Sequence, residues 1–482
     1  MINFKIIFRG LGFLLIVESI AMAIAMIVSL IYNENDTQSF VIASLVSLGF
    51  GLTTVLGTQK ANKNIGKREG FIIVSLVWVV FSLFGSIPYV LSGSIPNFTN
   101  AFFETMSGFT TTGSSILNNI EELPHGILFW RSITQWLGGM GIIVLSLAIL
   151  PIFGIGGMQL FAAEVPGPTP DKINPKIRQT AKTLWGIYLL FTLAEAILLV
   201  LGGMGTFDAV CHSFTTMATG GFSTKQASIA YWNSPYIHYV IIIFMFLAGT
   251  NFSLSYLAFQ GKIKKLFKDE EFKYYLLFIL GFVVFIFVGL LVTSSLKIEQ
   301  AFRDSLFQVV SIITTTGYAT TDYLLWHPVL TILIFTLFFF GGSTGSTGGG
   351  IKIMRIVILL KNSYYELKRM VHPNAVIPVR FNNHTVDPKI VTNVLAFFIM
   401  YFLIFIVSVV LFTFMDPDMD SSMGAVATCL GNIGPGLGNV GPAETFAHIP
   451  DVGKWFLSFL MLLGRLELFT VLVLFSVSFW KD

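Results

Sequence analysis

The sequence predicts an all-α polytopic membrane protein built from four helix–loop–helix units around one axis, with two further transmembrane helices at the N-terminus. Three observations predict it. The chain is very apolar and its apolar residues fall in long runs. Its basic residues alternate between the connections. A glycine motif recurs four times between spans.

Hydrophobic residues make up 54% of the 482 positions and charged residues only 11%, against a usual charged share of roughly 25%. So few charges do not cover a soluble fold of this size. Crossing a hydrocarbon core of about 30 Å takes about 20 helical residues. Apolar runs of this kind, or somewhat shorter, occupy 11–31, 41–56, 71–91, 127–153, 184–201, 239–259, 274–292, 329–340, 390–414 and 455–480, giving ten predicted spans. Ala21-Met22-Ala23 resembles a signal cleavage site, but the run continues for eight more residues, so it is read as a retained first span. Cys211 and Cys429 are too few for a disulfide framework or a metal cluster.

Lys and Arg concentrate on the cytoplasmic side of a membrane. Of the 29 basic residues, 23 fall in alternate connections or at the ends: Lys5 and Arg9, the group from Lys60 to Arg68, that from Lys172 to Lys182, that from Lys262 to Lys273, that from Lys352 to Lys389, and Lys481. Both termini are therefore predicted to be cytoplasmic. The opposite connections are long, semi-apolar and rich in Gly, Thr and Ser. That composition predicts re-entrant segments, which exist at membrane depth only where protein or water surrounds the backbone.

Those segments repeat. Phe103-Glu104-Thr105-Met106-Ser107-Gly108-Phe109-Thr110-Thr111-Thr112-Gly113 aligns without gaps on Phe307-Gln308-Val309-Val310-Ser311-Ile312-Ile313-Thr314-Thr315-Thr316-Gly317. Thr219-Gly220-Gly221-Phe222-Ser223-Thr224 is a second copy and the divergent Asn432-Ile433-Gly434 the fourth. The terminal glycines Gly113, Gly221, Gly317 and Gly434 are 108, 96 and 117 residues apart. The boundaries this implies are 1–68 for the N-terminal pair, then 69–165, 166–265, 266–375 and 376–482 for the four units. A cation entering a narrow pore exchanges its water for other oxygens, and rings of backbone carbonyls supply them. Aiming carbonyls inward requires dihedrals that glycine adopts without steric cost, while Thr and Ser add hydroxyls. Four copies in one chain thus predict four helix–pore loop–helix units around one pore. The candidate filter is Thr111, Thr112, Gly113, Thr219, Gly220, Gly221, Thr315, Thr316, Gly317, Asn432, Ile433 and Gly434.

At these motifs the chain resembles, over its whole length, the membrane subunits of the bacterial Trk/Ktr/HKT superfamily of potassium transporters, TrkH type. The resemblance implies potassium uptake across the inner membrane through a gated, channel-like pore. Glycine at all four filter positions, Gly113 included, implies potassium as the ion held there. It also implies a homodimer and a cytosolic RCK-type (TrkA-like) regulatory subunit, through which alone a nucleotide acts. No covalent cofactor and no nucleic-acid partner are expected. A sodium-permeable relative, or a symporter coupled to protons or sodium through Glu18, Glu195 or Glu467, stays open as the alternative.

Two elements are candidate gates. Residues 341–350 hold six glycines in ten, too many for a stable helix. They interrupt the second span of the third repeat, and Gly345, Gly348, Gly349 and Gly350 are its flexible points. It is not a phosphate loop, because Lys352 lies between Ile351 and Ile353 and no strand precedes it. By resemblance it is an intramembrane loop beneath the filter. The second element is Arg465, read as mid-span in the fourth repeat, where an ionisable residue is functional by default. Glu467, two positions on, is a poor helical partner for it. No paired carboxylates, metal-ligand spacing or nucleophile–base pattern stands out, so the chain is not read as an enzyme.

Overall fold

The computed structural model describes residues 2–59, 66–141 and 177–481. Lys60, Lys63, Lys172 and Lys176, the far half of the predicted span 127–153 and the boundary at 165/166 lie outside them.

The N-terminal pair is α1 (Phe4–Tyr32) and α2 (Thr37–Gly57). The chain turns between them where Asn33 adopts φ 53°. A Cβ on Gly51 would stand 2.8 Å from the Gly12 carbonyl, and one on Gly12 2.9 Å from that of Gly51. Such close approach is how small residues hold helices together where lipid offers no hydrophobic drive. The pair leans on the first repeat through Glu34, which accepts from the Gly126 amide at 3.3 Å and contacts His125 Nδ1 at 2.7 Å.

Each repeat then supplies an outer helix, a short pore helix and an inner helix. The first has α3 (Lys67–Gly85), α4 (Phe98–Phe109) and α5 (His125–Gly139). The second has α6 (Ile177–Leu201), α7 (Thr206–Met217) and a divided inner helix, α8 (Pro235–Ala248) and α9 (Phe252–Phe259). A connector, α10 (Ile263–Lys268), leads to the third repeat. That repeat has α11 (Glu270–Thr293), α12 (Ile298–Ile313), α13 (Pro328–Leu337) and α14 (Ile353–Val371). The fourth has α15 (Pro388–Thr413), α16 (Met419–Gly431), α17 (Asp451–Arg465) and α18 (Phe469–Leu472). Proline at the first helical position, where its missing N–H costs nothing, opens α8, α13 and α15.

Six helices among the described residues cross a bilayer by length and apolarity alone, and two bent pairs add two more crossings. The bends correct the sequence reading, which ran 239–259 and 455–480 through as single spans. α8 and α9 meet at 107°, and α17 and the segment Phe469–Phe475 at 110°. The first break survives because its freed carbonyls find donors, as they must at membrane depth. The Ser343 amide donates to Gly249 O at 2.8 Å and the Thr347 hydroxyl to Ala248 O at 3.3 Å. Asn251 then caps α9 by accepting from the Ser253 amide at 2.8 Å. The second break is a tight γ-turn centred on Leu468 (φ 62°, ψ −65°), closed by Phe469 N–H to Glu467 O at 2.7 Å. This is a rare and strained form of turn.

Among the described residues, one element is a β-hairpin. β1 (Arg380–Phe381) and β2 (His384–Thr385) pair antiparallel around Asn382 and Asn383, both at positive φ. Two central residues of that kind make the hairpin turn whose twist matches its strands.

Candidate functional site

The four pore helices end alike. The amides of Thr112, Gly220, Thr316 and Ile433 each donate five residues back, to Ser107, Thr215, Ser311 and Thr428, at 2.8–3.0 Å. This six-to-one bond closes a helix on a left-handed residue. Here that residue is Thr111, Thr219, Thr315 or Asn432, at φ 53–59°. Positive φ on a β-branched residue is a genuine outlier, tolerated where the surroundings over-determine it. Two residues on, Gly113, Gly221, Gly317 and Gly434 take φ 87°, 77°, 79° and 106°. Every predicted filter triplet thus has one backbone shape, although only the first and third share a sequence.

The triplets close into a ring. A Cβ on Gly113 would collide with the carbonyl of Gly220, one on Gly221 with that of Thr316, and one on Gly317 with that of Ile433. A Cβ on Gly434 would meet the Thr112 carbonyl at 3.1 Å. The contacts run from repeat one to two, three, four and back to one. All four glycines line a single cavity with Ser114, Ser223, Ala319 and Pro435, the residues that follow the motif.

Braces behind the ring were not predicted. Glu104, His212 and Gln308 stand at the same register in their pore helices, and each holds the extended segment that follows its own triplet. Glu104 accepts from the Ser115 hydroxyl and the Ile116 amide at 3.0 Å. His212 Nε2 meets the Ser223 hydroxyl at 3.0 Å, and Gln308 donates to Thr321 O at 3.3 Å. Glu104 also pairs at 2.6 Å with Arg131, whose guanidinium reaches Ser223 O at 2.7 Å and lies over the Phe222 ring. Gln135 clasps the second triplet: its amide donates to Gly220 O at 2.7 Å and accepts from Phe222 N–H at 3.1 Å. Gly220 has no room for a side chain because that amide fills the space. A charged pair and a glutamine, each in register only after folding, leave no signal in hydropathy.

The glycine-rich segment lies against the other end of the triplets. The Gly349 amide donates to Thr315 Oγ1 at 2.7 Å, and Thr347 Oγ1 donates to Met217 O, at the end of α7, at 3.0 Å. A Cβ on Gly348 would sit 2.9 Å from Thr314 O, and one on Gly349 2.7 Å from Gly431 O. Gly348 and Gly349 are therefore packed under the ring, Gly350 (φ 66°) packs against Phe340 O and Gly341 within its own repeat, and Gly345 (φ 76°) is at the exposed turn of the loop. Glu271 holds the loop's flanks by accepting from the amides of Thr344 and Met354 at 2.7 and 3.2 Å. Lys352, read from sequence as part of a basic loop, is instead buried, with its ammonium on Gly348 O.

Arg465 is not mid-helix but the last residue of α17, at the break. Its guanidinium donates to Thr111 Oγ1 at 3.1 Å, Thr347 O at 2.8 Å, and the carbonyls of Gly138 and Gly139 at 2.5 and 3.1 Å. It joins Thr111 of the first triplet, the glycine loop and the end of α5. Glu467 faces elsewhere and pairs with Arg355. Outside the spans, hydrogen bonds from the Ser421 hydroxyl and amide hold the Asp418 carboxyl below its usual range where it caps α16.

Residues 36–482 match the family model for TrkH, described as a cation transport protein. The chain is 44% identical over 489 residues to the Trk system potassium uptake protein TrkH of Escherichia coli K12, covering all of both chains. It is 35% identical over 481 residues to TrkG of the same organism, covering 99% of each. Its structure superposes on the crystal structure of the potassium transporter TrkH from Vibrio parahaemolyticus with a TM-score of 0.90 at 39% identity, over the full length of both.

Proposed function

The chain belongs to the TrkH family of cation transport proteins, and on that premise we propose that it carries potassium into the cell through the ring formed by its four filter triplets. Potassium uptake is the function of the chain. The ring is its filter, and the glycine loop with Arg465 is its gate. The observation that carries this reading is the closed circuit of glycine-to-carbonyl contacts through all four repeats. It supports the reading because exchange of a cation's water shell calls for equivalent carbonyls around one axis. With the basic segments on the cytoplasmic side, both termini are cytoplasmic and uptake runs from the filter cavity toward the glycine loop. The chain acts as a homodimer in the inner membrane. Its gate is set by a cytosolic TrkA-like ring that binds nucleotide.

The test is cation flux into proteoliposomes loaded with potassium or sodium, for the wild type and Gly113→Ser. Potassium-selective flux in the wild type, with sodium admitted in the variant, is expected. Equal potassium and sodium flux in the wild type would favour the sodium-permeable reading. Glu18 and Glu195 are fully buried carboxylates in α1 and α6, and on them rests the second reading, proton coupling. Potassium accumulation that follows an imposed pH gradient at zero membrane potential would favour it.

A further inference from the structure

The glycine loop and the filter leave unused a larger cavity at the opposite end of α11 from the pore helix that follows it. Lys265, Lys268, Lys273, Lys361 and Arg380 line it, with the carboxylates of Asp269 and Glu270. The two acids are committed. Glu270 pairs with Lys361 and accepts from the Asn382 amide at 2.8 Å. Asp269 caps α11 by accepting from Phe272 N–H at 2.9 Å and takes the Asn382 side-chain amide at 2.9 Å. They dock the β-hairpin. Among the described residues, the side chains of Lys265, Lys268, Lys273 and Arg380 enter no ion pair, so the cavity presents uncompensated positive charge.

What adjoins the cavity is apolar and exposed. Leu277 lines its wall and begins a stripe down α11 of Leu277, Leu280, Val284 and Val288, 60%, 50%, 57% and 50% exposed. The spacing of three and four residues keeps them on one helix face. At 1.5 Å per residue the stripe runs roughly 16 Å, about half a hydrocarbon core of about 30 Å. On the other side, α10 exposes Ile263 and Phe267, four residues apart, and turns Lys265 and Lys268 into the cavity. An amphipathic helix of that kind lies in the plane of the interface.

We propose that this cavity binds the phosphate of an anionic phospholipid, with an acyl chain laid along the Leu277 to Val288 stripe. The ligand chemistry is a phosphate diester. A free phosphate would satisfy the lysines but not the stripe. A basic pocket opening onto a lipid-facing helix at the membrane edge is the arrangement that selects anionic head groups. This inference does not rest on the filter assignment, because the site shares no residue with the ring or the loop.

The test uses the full-length chain, delipidated in detergent. It is titrated with dioleoylphosphatidylglycerol or dioleoylphosphatidylcholine, and bound lipid is counted by native mass spectrometry. The phosphatidylglycerol is expected to bind more tightly. Lys265→Gln/Lys268→Gln/Lys273→Gln is expected to weaken it by at least about tenfold, since each lysine near an anionic surface contributes roughly fivefold. The same three positions changed to Arg should retain binding, which separates lost charge from misfolding. Lys262→Gln/Lys264→Gln, beside the cavity but outside its lining, should weaken it clearly less than the three lining changes do. Four results would overturn the proposal. These are equal binding of the two lipids, equal loss in both glutamine variants, displacement of the lipid by inorganic phosphate, and unchanged lipid binding with lost capture of the cytosolic regulatory ring.

Discussion

Replacing Arg465 with Gln tests the proposed gate most directly. Three changes follow from the structure. The guanidinium loses its charge next to Thr111, which it touches at 3.1 Å. The glycine loop loses the tether at Thr347 O, 2.8 Å away. The carbonyls of Gly138 and Gly139, at the negative end of α5, lose their shared cation. A potassium ion held about 3 Å beyond Thr111 Oγ1, itself 3.1 Å from the guanidinium, would stand about 6 Å from that charge, and at an effective dielectric of about 20 the repulsion would be roughly 3 kcal/mol. Removing it lowers the barrier by up to about a hundredfold in rate at 25 °C. Loss of the tether, a charged hydrogen bond worth about 1.5–3 kcal/mol, acts in the same direction by freeing the loop. Potassium flux in proteoliposomes without the regulatory ring should rise by tens of fold in Arg465→Gln. Arg465→Lys keeps the charge but not the fork of donors, so it should stay within about tenfold of wild type, since the repulsion remains. Basal flux in Arg465→Gln no higher than in the wild type would refute the barrier, and identical flux in the Gln and Lys variants would refute its electrostatic origin.

The ring is not equally tight at its four joints. Gly317→Ala drives a methyl into the Ile433 carbonyl, whereas Gly434→Ala meets the Thr112 carbonyl at 3.1 Å. The potassium-to-sodium flux ratio should therefore fall further for Gly317→Ala. Gln135→Ala strips Gly220 O and Phe222 N–H of their partner, at about 1–3 kcal/mol per unsatisfied group. It should loosen sodium discrimination, read as a lower potassium-to-sodium flux ratio in proteoliposomes, while potassium flux itself stays measurable. Glu104→Gln leaves Arg131 buried without its carboxylate, at about 3–5 kcal/mol. It should lower the detergent melting temperature, and Arg131→Met in the same chain should recover part of the loss.

The repeat was legible in the sequence and the breaks in two inner helices were not. Glycines recurring at about a hundred residues identify four copies even where Asn432-Ile433-Gly434 has drifted, because a backbone at φ 106° restricts that position to glycine. Hydropathy, by contrast, measures transfer to lipid and says nothing of hydrogen bonding. A run such as 239–259 reads as one span although Gly249, Thr250 and Asn251 break it. What permits the break is the glycine loop, almost a hundred residues later in the chain, which donates to the carbonyls that α8 gives up. The same holds for Arg465: its place in a span was visible, but its position at a helix end depends on the turn at Leu468. The Asn382-Asn383 pair is a different case. It carried a local hairpin signal that the surrounding basic loop obscured.

A single chain permits what four identical subunits would not. The glycine loop of the third repeat reaches all four quarters of the ring: Met217 O in the second, Thr315 in the third, Gly431 O in the fourth, and Thr111 in the first through Arg465. Four symmetric copies of such a loop would compete for the space under one pore, and among the described residues the third repeat carries it. The other repeats diverge to receive it. The second ends its inner helix early and lends its carbonyls. The fourth ends at Arg465 and lends a cation. The first keeps Thr111 in a left-handed conformation with its hydroxyl turned to that cation. Divergence of the fourth triplet from Thr-Thr-Gly fits the same logic. Asn432, better suited than Thr to positive φ, spends its side chain on Thr112 Oγ1 at 2.9 Å and Met461 O at 3.0 Å. It thereby ties the last joint of the ring to the first and to the helix that ends in Arg465.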